Sequence, residues 1–229
     1  MKSSQTNPRN PRGFTLIELL VVIAIIGVLA ALLLPAGIAI KNKTTKARVR
    51  AELNKVVMAI DSFKVKQGHY PPDNPNNIAV NPLYFELLGV KDAGAQFQTL
   101  VGSGFINKAD VPTFYGNGAN PPIAGFVNAG ASSDEGSSAA KTYLTELVPA
   151  QYMTVRNNGK DAPVLGTIVE GLPSSMLPDP TGTKFFNPFR YNSSNPTNNV
   201  NSYDLWVDVK IGKTIFRISN WSTTDIPNP

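Results

Sequence analysis

The dominant feature of the hydrophobic pattern is one apolar run near the start of the chain. Residues 19–34 read LLVVIAIIGVLAALLL, sixteen positions without a polar side chain, and the segment after Pro35 extends the run to Ile40. No face of such a helix carries a polar stripe, so a soluble amphipathic helix does not fit. Because about 20 apolar residues span a hydrocarbon core of roughly 30 Å, we expect residues 14–40 to form a transmembrane helix. A helix buried in a protein core is the alternative.

A second pattern follows, with the spacing of an amphipathic helix. Five apolar residues fall at i, i+3, i+4, i+7 and i+10, which is one helix face: Leu53, Val56, Val57, Ile60 and Phe63. The pattern stops at Gly68, and Tyr70-Pro71-Pro72 then prevents the helix from continuing. We therefore expect a helix over 15–67, whose part at 41–67 packs its apolar face on a globular head.

The remaining residues, 68–229, predict a small antiparallel sheet with long loops. Short helices are expected at 83–88 and 142–148, whereas 91–140 is rich in Gly, Ala, Asn and Ser, as surface loops are. Strands are predicted where β-branched and aromatic residues cluster between turn formers: 164–169, 185–191, 203–209 and 214–218, the last two joined by a hairpin at 210–213. The fold class is therefore α+β, with a long N-terminal helix on a small antiparallel sheet.

Charge is distributed in blocks that flank the apolar run. The formal net charge is +5, of which residues 1–13 carry +3, residues 41–66 carry +6 and residues 67–229 carry −3, with Glu18 supplying the remaining −1. Positive blocks around an apolar segment are typical of membrane topology. We therefore expect contact with membrane lipid, and we do not expect nucleic acid as a partner because the head is mildly acidic.

Composition excludes several kinds of catalytic and metal site. The chain has no cysteine, so disulfides and cysteine-bound zinc are impossible, and its one histidine, His69, excludes sites that need a histidine pair. Asp134 and Glu135 lie in a Gly- and Ser-rich stretch without a basic neighbour. No phosphate-binding glycine loop or nucleophile elbow is present. We expect no catalytic residue, no metal site and no cofactor, and therefore not an enzyme.

The upstream edge of the apolar run contains Glu18, a residue that membrane insertion alone disfavours. A charged side chain costs about 2.5–3.5 kcal/mol at the centre of a membrane helix and less near the interface. A cleavable secretory signal peptide is the alternative for this region, but its apolar part is about 7–15 residues long, which is shorter than this run. A carboxylate retained at this position predicts a function for Glu18.

The residues around Glu18 read Gly13-Phe14-Thr15-Leu16-Ile17-Glu18, followed by LLVV at 19–22. This pattern resembles the prepilin cleavage and methylation signature of the type IV pilin superfamily, which includes the pseudopilins of type II secretion systems. The resemblance implies that residues 1–13 are a cytoplasmic leader and that a prepilin peptidase cuts between Gly13 and Phe14. The same enzyme would then methylate the amino group of Phe14.

The resemblance also assigns roles to two residues of the apolar run. Glu18 is expected to engage the amino terminus of an adjacent subunit, which couples extraction from the membrane to assembly. Pro35 is expected to kink or loosen the helix, because proline removes a helical hydrogen bond. The implied fold is the pilin lollipop, in which a protruding half-helix continues into a half-helix packed in the head.

The head adds a weaker resemblance to major pseudopilins. Four fragments occur in the order seen in those proteins: 67–72, 187–191, 202–206 and 218–221. Major pseudopilins carry an acidic calcium loop before the last strand, but here Lys210-Ile211-Gly212-Lys213 takes its place near Asp204 and Asp208. Because calcium prefers six to eight oxygen ligands, no calcium site is predicted.

The resemblance implies a structural subunit of a periplasmic pseudopilus in a type II protein secretion system. Its partners would be further copies of itself in a filament, other pseudopilins, the inner-membrane assembly platform and the prepilin peptidase. The protein would cross the bacterial inner membrane once, with the leader in the cytoplasm and the head in the periplasm, before it joins the filament. The alternative is a major or minor type IV pilin for adhesion, motility or DNA uptake.

Overall fold

The computed structural model describes residues 13–116, 123–130, 139–224 and 226–228, and the chain divides into two compact units, Met1–Lys43 and Thr44–Pro229. Residues 1–12 of the predicted leader lie outside the described residues, and so do Asp134 and Glu135. The side chains of residues 32–36, including Pro35, are also outside the description.

The first element is a helix of 52 residues, α1, at Leu16–Gln67. Its end follows from local chemistry, because Gly68 has a φ of +83°, a left-handed conformation that glycine adopts without a steric penalty. The Gly68 N–H donates to the Lys64 carbonyl at 2.9 Å, and the Lys64 ammonium donates to the Gly68 carbonyl at 2.7 Å. The long helix predicted over 15–67 is confirmed to within one residue.

The predicted apolar face of the second half of α1 lies in the core of the second unit. Leu53, Ile60 and Phe63 have no exposed surface, Val56 keeps 3%, and Val57 is half-buried. Burying one such side chain is worth roughly 1.5–3 kcal/mol, so this face is a principal source of stability for the unit. The helical spacing in the sequence predicted all of these positions.

Twelve strands form three four-stranded sheets among the described residues. The first sheet has the order β3-β2-β1-β4 and consists of β1 Val90–Ala93, β2 Gln96–Thr99, β3 Phe105–Asn107 and β4 Ala129–Gly130. The second has the order β5-β6-β8-β7 and consists of β5 Tyr152–Asn157, β6 Lys160–Thr167, β7 Leu177–Pro178 and β8 Phe185–Pro188. The third has the order β12-β11-β10-β9 and consists of β9 Arg190–Asn192, β10 Asp204–Ile211, β11 Thr214–Ser219 and β12 Ile226–Asn228.

Strand pairing is antiparallel in these sheets except between β4 and β1, which are parallel. The hairpin predicted at 210–213 joins β10 to β11, where Gly212 has a φ of +64°. At the edge of the third sheet, β12 places Pro227 opposite Phe216 of β11. The strands predicted at 203–209 and 214–218 are confirmed, and the one at 164–169 begins earlier, at Lys160, and ends at Thr167. The single strand predicted at 185–191 is instead divided at Phe189 into β8 and β9, which belong to different sheets.

Two predictions in the middle of the chain are wrong. The stretch at 91–140 is not only loop, because it contains β2, β3 and a short helix, α3, at Val111–Tyr115. The segment at 142–148 is not helical, because its donors bond to carbonyls of the helix α2 at Leu83–Leu88. The Tyr143 N–H donates to the Leu87 carbonyl at 2.7 Å, and the Thr142 hydroxyl donates to the Leu88 carbonyl at 2.9 Å. The helix predicted at 83–88 is confirmed.

Glu86 on α2 is a buried carboxylate, only 1% exposed, that holds a distant segment. Its two oxygens accept the N–H groups of Val127 and Asn128 at 2.8 and 2.9 Å. The Asn128 amide in turn donates to the carbonyls of Glu86 and Lys141 at 2.7 and 2.6 Å. Burial raises the pKa of Glu86 to about 7, although the N–H bonds from Asn128 and Val127 work in the opposite direction.

We expect stability to fall as the pH rises from 5 to 8. Glu86 ionises near 4.5 in an unfolded chain and near 7 in the fold, so the folded state binds the proton more tightly and loses free energy of unfolding as that proton dissociates. At roughly 1.4 kcal/mol per pKa unit the loss is about 3 kcal/mol. Thermal unfolding of wild type and Glu86→Gln across this range measures it. Glu86→Gln should weaken the dependence of stability on pH, whereas the exposed control Glu146→Gln should not. An unchanged pH dependence in Glu86→Gln contradicts the assignment.

Candidate functional site

The start of α1 carries a reciprocal set of hydrogen bonds between Thr15 and Glu18. The Thr15 N–H and hydroxyl both donate to Oε2 of Glu18, at 2.8 and 2.7 Å. The Glu18 N–H donates back to the Thr15 hydroxyl oxygen at 3.3 Å. This arrangement is a capping box, which satisfies N–H groups that the first turn of a helix leaves without partners. The carboxylate also lies at the positive end of the helix dipole.

Thr15 is the residue that sequence reasoning missed. The spacing Thr15-Leu16-Ile17-Glu18 is the S/T-x-x-E pattern of a capping box, so the signal was present in the sequence. In the sequence, Glu18 was interpreted only as a charge in an apolar run, and Thr15 was not considered as its hydrogen-bond partner. The capping box brings the Glu18 carboxylate to the residue directly after Phe14.

Gly13 and Phe14, the predicted cleavage junction, are exposed. Phe14 keeps 78% of its surface accessible, and a Cβ built on Gly13 meets no atom within 4 Å. The described fold therefore gives no steric reason for a glycine at position 13. A peptide bond in this position is accessible to a processing enzyme.

The apolar side chains of the first unit are exposed along α1. The large apolar residues between Phe14 and Leu29 keep 43–82% of their surface accessible. Extended apolar surface of this kind marks contact with a membrane or another protein. Among the residues that the structure describes, no helix has both the length and the apolar character needed to cross a membrane. The span predicted at 14–40 and the kink at Pro35 stay predictions.

The other residues singled out by sequence have structural surroundings. His69 is exposed, with Nδ1 2.9 Å from the carbonyl oxygen of Tyr70 and its ring edge-on to Phe63 at 5.8 Å. No group of three or more His, Cys, Asp or Glu side chains that could hold a metal ion occurs in the described part of the chain.

Asp204 and Asp208 both bind protein donors. Asp208 is 4% exposed and forms a two-pronged ion pair with Arg217 on the neighbouring strand, at 2.8 Å to Nε and 2.9 Å to the second nitrogen. Asp204 accepts the N–H groups of Thr197, Asn198 and Asn199 at 2.8–2.9 Å. A guanidinium and a loop backbone thus occupy the oxygens that a cation would need.

We expect calcium to leave the melting temperature of the wild type unchanged, since these carboxylates already have partners. Arg217→Ala should destabilise by about 3 kcal/mol, because it leaves a buried carboxylate unpaired. Thermal unfolding with and without calcium measures the first effect, and denaturant unfolding measures the second. Lys210→Ala, which breaks the exposed pair with Glu170, is the control and should cost less than about 1 kcal/mol. A large stabilisation of the wild type by calcium would show that a metal site exists.

Comparison with known proteins agrees with the residues at the helix start. The family model described as the prokaryotic N-terminal methylation motif matches residues 8–34. Type II secretion system core protein G of Dickeya chrysanthemi is 32% identical over 118 residues, which are 45% of this chain and 76% of that protein. No solved structure is a significant match.

Other relatives match over a smaller share. Type II secretion system core protein G of Escherichia coli K12 is 43% identical over 63 residues, which are 28% of this chain and 43% of that protein. Type IV major pilin protein PilA of Myxococcus xanthus is 40% identical over 82 residues, 36% of each chain. The chain thus spans less than half the length of these two relatives.

Three features define a prepilin-type protein: a capped helix start two residues after Gly13, exposed apolar side chains along the first part of α1, and an N-terminal methylation motif. With a relative of which three quarters is covered, the chain belongs to the superfamily of type IV pilins and type II secretion pseudopilins.

Proposed function

We propose that this protein is a structural subunit of a type II secretion pseudopilus, processed at Gly13 and assembled through its N-terminal helix. The observation that carries the proposal is the Glu18 carboxylate, held beside the cleavage junction at the start of an exposed apolar helix. The pseudopilus assignment is supported by the relative in Dickeya chrysanthemi, which is named a type II secretion core protein G.

Processing creates a new, positively charged chain end that can take part in assembly. Removal of residues 1–13 by a prepilin peptidase leaves an amino group on Phe14, which the same enzyme methylates. This new cation lies four residues before Glu18. In a medium of low dielectric constant opposite charges attract strongly, yet each one alone pays a desolvation penalty.

Assembly is favoured because Glu18 can exchange one partner, Thr15 of its own chain, for another, the Phe14 amino group of an adjacent subunit. In the single chain the carboxylate is satisfied by Thr15, so it is tolerated before a neighbour arrives. When an adjacent subunit docks, its Phe14 amino group offers a full positive charge in place of neutral donors. The Thr15 bonds already have an ionised acceptor, but a cationic donor adds a Coulombic attraction that is strong in a medium of low dielectric constant, so the exchange favours the filament.

The membrane stage precedes the filament stage. Residues 14–40 cross the bacterial inner membrane with the positive leader in the cytoplasm, residues 41–67 form the helix of the head, and residues 68–229 complete the head in the periplasm. Pro35 loosens the helix when the subunit packs in the filament. Other pseudopilins and the inner-membrane assembly platform complete the set of partners, and no residue is assigned a catalytic role.

A type IV pilin is the second candidate. It is favoured by relatives named as pilins, including type IV wide pilus major component PilA4 of Thermus thermophilus, which is 44% identical over 62 residues, 27% of this chain and 47% of that protein. Deletion of the gene in the native bacterium separates the two functions. Loss of exported proteins from the medium supports the pseudopilus, whereas loss of long surface filaments with export intact supports the pilus.

Processing is tested by the intact mass of the protein extracted from membranes. We expect a chain that begins at Phe14 and carries one added methyl group. Gly13→Leu should block cleavage, because the peptidase must approach this backbone closely, while the open space at Gly13 leaves the fold unaffected. Gly27 is equally unobstructed, so Gly27→Leu is the matched control and should be cleaved normally. A mature chain that starts elsewhere contradicts the assignment.

Assembly is tested by Glu18→Ala. Insertion into the membrane should become easier and cleavage after Gly13 should continue, but filaments and export should be lost because the Phe14 amino group of the next subunit has no anionic partner. Glu18→Gln keeps the hydrogen bonding without the charge and should be impaired less severely. Immunoblots of sheared filaments and of the medium measure both effects.

The control for this experiment is Glu146→Ala, which removes an exposed carboxylate from the second unit and should assemble normally. If Glu18→Ala forms filaments at the wild-type level, the proposed role of Glu18 in assembly is wrong. The membrane-inserted chain would then act as an adhesion or capture module without a filament.

A further inference from the structure

The second unit contains a cleft whose lining the filament function does not use. Its volume is about 440 Å³, within the roughly 300–1,000 Å³ typical of sites for small ligands. One wall is the segment from Ser103 to Asn107, and the other is the β5–β6 hairpin with Thr154 and Lys160. Tyr84 and Tyr152 also line the cleft, with ring centroids 5.5 Å apart.

Two contacts tie residues of the lining to one another. Gly104 lies directly on Tyr84, since a Cβ at Gly104 would come within 2.5 Å of the tyrosine ring and hydroxyl. The Lys160 ammonium lies 2.6 Å from Asp110, so this ion pair joins two further residues of the lining. These two contacts link the separate stretches that form the cleft, which lowers the cost of ordering it around a ligand.

Each carboxylate of the lining is neutralised by a cation. Asp110 pairs with Lys160 and also accepts the Asn107 amide at 2.8 Å. Asp161 forms a two-pronged pair with Arg156 at 2.7 and 2.8 Å. With Arg156 counted beside the lining, the cleft offers many hydrogen-bond donors and acceptors with no net charge, which favours a neutral ligand over a phosphate or a polyamine.

The remaining lining combines aromatic surface with hydroxyl and amide groups. Of the lining residues, Phe105 is 52% exposed and Tyr152 is half-buried. Ser103, Thr154 and Asn107 add short polar side chains. A ligand that matches this lining has apolar C–H faces for the rings and hydroxyls around its rim, which is the chemistry of a pyranose sugar.

We propose that this cleft binds a neutral saccharide of one or two pyranose rings, at a site separate from the helix start. The proposal does not rest on the filament function, because the lining residues lie between Tyr84 and Pro163 and none of them belongs to the helix start. A filament subunit or a single membrane-inserted chain could each present it.

The test is binding of maltose, cellobiose and chitobiose to the full-length protein in a zwitterionic detergent without a sugar headgroup. Saturation-transfer NMR detects the ligand, and titration gives the affinity. We expect at least one disaccharide to bind, and Tyr152→Ala and Phe105→Ser each to weaken it about tenfold, the upper end of an aromatic contact. Tyr152→Phe keeps the ring and should bind like the wild type. Phe185→Ser removes an equally exposed phenylalanine outside the cleft and should have no effect.

Thermal unfolding checks that each variant is folded. If Tyr152→Ala fails to fold, Phe105→Ser alone tests the aromatic contact. Binding of none of the three sugars overturns the proposal, and so does binding that Phe105→Ser and Tyr152→Ala leave unchanged. A glycine-serine-tyrosine peptide library that occupies the cleft in place of sugars would identify a peptide groove and also overturn it. Processing and assembly are measured separately, so a failure here leaves the filament function intact.

Discussion

The second unit depends on the burial of one face of α1. Leu53, Ile60 and Phe63 lie at its centre with no exposed surface, and the sheet residues Leu205 and Val207 of β10 are equally buried. Because one helix face must be covered along its whole length, the strands and α2 have to arrange themselves around it. Polar groups buried in the same unit then need partners from inside the protein, and Glu86 and Asp208 find theirs in the N–H groups of Val127 and Asn128 and in the guanidinium of Arg217.

The sequence predicted the elements whose signals are local. The end of α1 could be predicted from Gly68 and the prolines that follow, because a positive φ and a missing N–H act within a few residues. The β10–β11 hairpin was predictable for the same reason, through Gly212. The segment at 142–148 was not, since its extended form depends on carbonyls of Leu87 and Leu88 some 55 positions earlier. A tertiary contact there outweighs a helical propensity.

The candidate site divides in the same way. Gly13, Phe14 and Glu18 form a contiguous pattern, and Thr15 belongs to a four-residue signal, so the whole helix start could be read from the sequence. The cleft could not, because Tyr84, Gly104 and Lys160 come from three separate stretches and meet only in the fold. β1 to β3 also escaped detection, since strands of three or four residues with polar members such as Gln96–Thr99 leave too short an alternation to recognise.

The proline in the last strand has a consequence for solubility. Edge strands present unpaired N–H and C=O groups that invite another sheet to add to them, and this is a common route to aggregation. In β12 the residue opposite Phe216 is Pro227, which has no N–H to offer on that edge. Wherever many copies of this chain are crowded together, the β12 edge of the third sheet is thereby a poorer template for a further strand than an edge with every N–H available.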